Sequence, residues 1–208
     1  SLGVSPLTEH QFHYASFNVL AEKEHWDDHT REIVEKRERT QSYFPSKSFS
    51  EQEANALFQL CSLLLDDPSY TVVAYVVHHM DQSLQSDIGE GQRKIGVPKQ
   101  GALIRDGLRL LNERCLVDHS NYFDQLERNK QQQIITELFQ GSFSLQSEDQ
   151  QIPAQAFIQK ILSKAVSAYY SHPSVWSDIG YAGPAYPRGY VRSEFGLTAP
   201  WEARRDDK

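Results

Sequence analysis

Between Ser50 and Tyr169 the apolar residues return every third or fourth position, and no other feature constrains the fold as strongly. That period puts them on one face of a helix, whereas a half-buried strand needs strict alternation. Leu57, Leu60, Cys61, Leu64 and Leu65 form one stripe, with Gln52, Asn55, Gln59 and Ser62 on another side. Ser50 followed by Glu53 supplies a capping box at its start, and Asp66-Asp67-Pro68 ends it. The next run, TVVAYVVHHMDQSLQ, is rich in β-branched residues and fits a short buried strand. Val73, Val76, Val77, Met80 and Leu84 keep helical spacing for too long, so the expectation is a helix.

Further stripes follow a loop at residues 86–99, which holds three glycines and a proline. One is Ile104, Leu108, Leu111 and Cys115. A second is Phe123 with Leu126. A third is Ile134, Ile135, Leu138 and Phe139, with Gly141 placed to cap its C-terminus. SFSLQSEDQQ reads as a polar loop. Pro153 then opens a helix bearing Phe157, Ile158, Ile161, Leu162, Ala165, Val166 and Tyr169. Upstream, WDDHTREIVEKRER is helical, with Trp26, Thr30, Ile33, Val34 and Arg37 on one face. Asp27 and Asp28 near its start and Lys36, Arg37 and Arg39 near its end suit the helix dipole. Residues 1–20, with Pro6, Phe12, Tyr14 and Phe17, read as an extended or irregular arm. The expected fold is all-α: an irregular bundle of about six helices in a single domain. It comprises an N-terminal arm (1–25), a helical body (26–170) and an aromatic, Pro/Gly-rich C-terminal strap (171–208).

The chain has 208 residues, is 39% hydrophobic and 11% aromatic, and carries a formal charge of -7. Such a composition supplies a core, and its acidity speaks against nucleic acid, which needs a basic footprint. Cys61 and Cys115 are too few for a disulfide framework or a four-thiolate zinc site, and both sit on apolar stripes, as buried free thiols do. No apolar run reaches the length of a membrane span.

The usual catalytic signatures are missing from the sequence. Gly89, Gly91 and Gly96 have the wrong spacing for a dinucleotide fingerprint. Gly91 to Gly96 begins like a phosphate loop, but Val97 and Pro98 stand where lysine and serine or threonine are required. There is no GxSxG, HExxH or CxxCH. His25 and His29, four apart on an expected helix with Asp28 beside them, have a spacing that can chelate a metal, but a solvated or hydrogen-bonded helix face is the favoured reading. His78 and His79 diverge around a helix, His10 and His13 lack partner ligands, and His172 before Pro173 reads as a turn anchor. No catalytic, cofactor-binding or metal-binding residue is assigned.

The C-terminal stretch is different in kind. From Ser171 to Trp201 it has four prolines, four glycines and six aromatic rings, with Arg188 and Arg192 interleaved. Proline and glycine oppose regular structure, yet rings are not the stuff of solvated tails. Tyr, Trp and Arg also anchor interfaces. Such a strap either closes the chain's own core or docks on a partner, or does both with opposite faces. The residues expected to meet a partner are Trp176, Tyr181, Tyr186, Arg188, Tyr190, Arg192 and Trp201.

The stretch HPSVWSDIGYAGPAYPRGYVR resembles the C-terminal signature of the gluconate 2-dehydrogenase subunit 3 family. EHWDDHTREIV, YFPSKSFSEQEANALFQLCSLLLDDP and FDQLERNKQQQIITELFQGSF resemble other parts of that family, so the likeness spans most of residues 10–201. The resemblance implies a non-catalytic small subunit that accompanies, stabilises or helps fold a large FAD-dependent dehydrogenase of the glucose-methanol-choline type. The flavin would belong to that partner, its substrates would be sugars, sugar acids or glycosides, and a cytochrome c subunit often passes the electrons onward. The family also implies a periplasmic or cell-envelope location. SLGVSPLTEHQ carries no twin-arginine signal, so the expectation becomes cytoplasmic if no signal was removed. Two other readings compete: an independent metal-dependent helical enzyme, and a helical chaperone or regulatory module.

Overall fold

The computed structural model describes Tyr14 and residues 16–40, 45–85, 96–185 and 199–204. Two compact units emerge, one from residues 40–169 and one from residues 1–39 together with 170–208.

The larger unit is the helical body. Ser50 Oγ accepts the Glu53 N–H at 3.3 Å and Glu53 Oε2 accepts the Ser50 N–H at 2.8 Å, so the expected capping box starts α1 of the body, Glu51–Leu65. Asp66 ends it in the left-handed conformation, φ 50°. After a turn capped by Ser69 comes α2, Tyr70–Ser83. Val72 through Val77 are all buried. A stretch buried on every side of its helix lies inside a core, and this is why its sequence also looked like a buried strand. The long helix α3, Gln100–His119, buries Ile104, Leu108, Leu111 and Cys115. Phe123 and Leu126 do not lie on a helix of their own; Phe123–Gln125 is one 3-10 turn. It is held by two buried amides. Asn112 accepts the Phe123 N–H at 3.2 Å, and Gln131 Nε2 donates to the Phe123 carbonyl at 2.9 Å.

Helix α4, Arg128–Gln140, ends at Gly141 with φ 74°, as its sequence led one to expect. The supposed polar loop after it contains a small antiparallel hairpin, β1 Leu145–Gln146 and β2 Gln151–Ile152, with Leu145 opposite Ile152. Both apolar residues are buried and both glutamines exposed. Two residues per strand are too few for alternation to register as a pattern. Pro153 stands just outside α5, Ala154–Tyr169, where its carbonyl accepts the Phe157 N–H at 3.0 Å. The faces of α1, α2, α3 and α5 meet in one continuous core that includes Leu57, Leu60, Val76, Met80, Leu108, Leu111, Phe157 and Ile161. The approach of α3 to α5 depends on Gly107: a Cβ there would lie 2.2 Å from the Phe157 ring.

The smaller unit joins the chain's two ends. Where an irregular arm was expected, Val19–His25 forms a 3-10 helix capped by Asn18. Helix α6, Asp28–Glu38, is capped by Asp27, whose carboxylate accepts from the Thr30 N–H (3.0 Å) and hydroxyl (2.7 Å). The strap is also less broken than its prolines suggested. Pro173–Ile179 is a helix, α7, with Pro173 at its first position, where a missing N–H costs nothing. Gly180 ends it with φ 72°. Val19, Trp26, Val34 and Trp176 form the core of this unit, and a Cβ at Gly183 would come within 2.7 Å of the Trp26 ring.

Candidate partner-binding surface

Trp176 is fixed from three sides. Its ring packs with Val19, Trp26 and Val34. Its Nε1–H donates to the Tyr170 carbonyl at 2.6 Å. The Arg37 guanidinium lies over it, 5.8 Å from the ring centroid, and Arg37 Nη1 also donates to the Ser171 carbonyl at 3.1 Å. Only 4% of Trp176 is exposed. Most of its surface is therefore spent within this chain, against the core of the smaller unit.

Tyr181 behaves differently. Its ring meets Trp176 edge-on at 5.4 Å, the geometry that the ring quadrupoles favour. Yet 44% of it remains exposed. Trp201 is half-buried, its ring 6.1 Å from that of His25. Tyr186, Arg188, Tyr190 and Arg192 lie outside the described residues.

Two exposed residues beside these were missed in the sequence. Ile179 is 49% exposed and Tyr170 is 54% exposed. Ile179 stands three positions after Trp176 and four after Val175, so it shares their face of α7. That face is buried at Val175 and Trp176 and then runs out into solvent at Ile179. The i, i+3, i+4 spacing was visible, but a helix here was not anticipated. Ile33, expected on the apolar face of α6, is 40% exposed as well.

The other candidates do not assemble. His25 closes the 3-10 helix and His29 lies in α6, with the extended residues Trp26 and Asp27 between them. They are not four apart on one helix, and His25 Nε2 instead approaches Glu22 at 3.5 Å. Among the described residues no group of three or more His, Cys, Asp or Glu is placed to hold a metal ion. His78 is half-buried and bonded to Gln82, while His79 is exposed near the Tyr75 ring. Cys61 and Cys115 are buried free thiols, as their stripes implied. Burial pushes both thiols up to about 12, which keeps them protonated and unreactive. His172 anchors a turn, as expected, by capping α7.

One buried carboxylate, Asp81, holds a segment of backbone in place. Burial pushes the Asp81 carboxyl up, but the Lys47 N–H, the Ser46 hydroxyl and the Ser48 N–H outweigh it and leave the group below the usual carboxylate range. These bonds, at 2.7 to 3.1 Å, tie residues 46–48 to α2.

A family model described as gluconate 2-dehydrogenase subunit 3 matches residues 51–183. Comparison with curated proteins and with solved structures gives no match. The family match runs from the first residue of α1 through α5 and α7 to Gly183, where the strap closes on Trp26. It covers more than half of the 208 residues, and the chain belongs to the gluconate 2-dehydrogenase subunit 3 family.

Proposed function

We propose that this chain is the non-catalytic small subunit of an FAD-dependent dehydrogenase of the glucose-methanol-choline type, which it binds, stabilises or helps to mature. Membership of a family described as a dehydrogenase subunit makes the chain part of a multi-subunit complex. The observation that carries the finer reading is the apolar edge at the end of α7, inside the matched region. There Ile179 and Tyr181 stay half-exposed beside a fixed Trp176. A rigid, half-exposed ring is the kind of residue that anchors an interface, because docking it costs little conformational entropy. The large subunit carries the flavin and the sugar, sugar acid or glycoside substrate.

The test is co-purification from the native host. A yellow complex with flavin absorbance and sugar-dependent dye reduction is the expected result. Tyr181→Ala and Ile179→Asp should each lower the flavoprotein recovered per small subunit by about tenfold, the scale of an interface anchor. Trp176→Ala should do the same by loosening the segment rather than by removing a contact. Full recovery in Tyr181→Ala and Ile179→Asp sinks the assignment of this surface. A small subunit that purifies with no flavoprotein sinks the function itself.

A further inference from the structure

Helix α7 begins with a cap of an uncommon kind, a histidine side chain. Pro173 has no N–H, so the Ser174 N–H is the first donor at this end that needs an acceptor. His172 supplies it, Nδ1 accepting at 3.2 Å while its own carbonyl accepts from the Trp176 N–H at 3.1 Å. The usual capping residues, Ser, Thr, Asp and Asn, offer an oxygen that still accepts at mildly acidic pH. An imidazole nitrogen accepts only while it is unprotonated; in the imidazolium both nitrogens are donors.

The surroundings give the protonated ring somewhere to turn. His172 is fully buried, with Nε2 4.0 Å from Glu38 Oε2. The Ser174 hydroxyl lies 3.4 Å from both oxygens of that carboxylate. Arg37, also on α6, holds the Ser171 carbonyl next to the ring. The 3-10 helix packed on α7 brings Glu22, Lys23, Glu24 and His25. Of these, Lys23 pairs with Glu35, His25 with Glu22, and Glu24 with Arg31. Asp178 is the acidic residue of α7 itself. Glu38, its Oε2 4.0 Å from Nε2, is a carboxylate placed to receive the imidazolium.

We propose that His172 is a proton-operated latch: the neutral ring caps α7 through Nδ1, and the protonated ring gives up Ser174, pairs with Glu38 and loosens α7. The residues loosened are Val175 and Trp176, whose packing fixes Tyr181. The latch concerns this chain alone and stands whether or not the partner is a flavoprotein.

The three tryptophans, Trp26, Trp176 and Trp201, all belong to the smaller unit, so tryptophan emission of the full chain reports on it selectively. The His25 ring lies 6.1 Å from that of Trp201, so a His25→Gln parent is used to keep a second imidazole away from the reporter rings. Its emission should be level above about pH 7 and step between about pH 7 and 5, the range in which histidine changes charge. His172→Asn keeps a capping oxygen and loses the proton, so the step should vanish. Glu38→Gln keeps the cap and removes the receiving carboxylate, so the midpoint should fall. A parent with no step, a step that survives His172→Asn, or a midpoint that stays or rises in Glu38→Gln overturns the latch. Should His172→Asn not fold, the parent titration and Glu38→Gln still decide it.

Discussion

Gly107→Ala is the sharpest test of how the body is packed. In an exposed helix this change stabilises by about 1 kcal/mol, because alanine loses less backbone entropy than glycine. Here the new methyl would sit 2.2 Å from one Phe157 ring carbon and 2.5 Å from the next. Carbon atoms prefer separations near 3.5–4.0 Å, so the ring or the helix must move by more than an ångström. Phe157 has no exposure and cannot swing into water. Overpacking of this kind costs about 1–3 kcal/mol, and the overlap here belongs at the upper end. Set against the helix gain, the net loss is about 1–2 kcal/mol, or roughly 2–8 °C in melting temperature for a chain of this size. Far-UV circular dichroism during thermal or urea unfolding measures it, since most of the helix lies in the larger unit. Phe157→Leu leaves a void by itself but makes room for the methyl. The double variant should therefore lose at least about 1 kcal/mol less than the sum of the singles. A neutral or stabilising Gly107→Ala, or strict additivity, would refute the interlocking of α3 and α5.

The remaining predictions concern single groups. Asp81→Ala strands the Ser46 hydroxyl and the Lys47 and Ser48 N–H groups and should cost about 2–4 kcal/mol at pH 7 by urea denaturation. Because the folded carboxyl of Asp81 is held below its unfolded value, its contribution is complete above about pH 4 and fades as pH falls through the folded value. The acid limb of stability should thus flatten in Asp81→Asn, and an unchanged limb would assign acid sensitivity elsewhere. Cys61 and Cys115 should resist a thiol-specific reagent at pH 8 in the native chain and react together in denaturant; fast native labelling of both would contradict their burial. Asn112→Ala removes both the acceptor of the Phe123 N–H and the donor to the Gln52 carbonyl, for a loss of about 2–3 kcal/mol. Asn112→Ala without measurable loss would mean that the 3-10 turn is held by Gln131 alone.

The sequence determined the helical body by itself, because that body is made of long amphipathic stripes with local stop signals. Ser50 and Glu53, Asp66, and Gly141 act within a turn of their own helix, so their roles could be read without knowing what packs where. The burial of Cys61 and Cys115 followed from the same stripes. What escaped the sequence were features decided by distant partners. The hairpin at Leu145 and Ile152 exists because two apolar residues reach a core built by other helices. The break between His25 and His29 separates two residues whose spacing alone suggested a shared face. The strap showed its aromatic rings plainly, but how they are spent was a tertiary matter. Trp176 is consumed by Val19, Trp26 and Val34 from the other end of the chain, while Tyr181, five residues on, is left half in solvent. Composition marks residues that can bury surface; only the fold decides which of them have already done so.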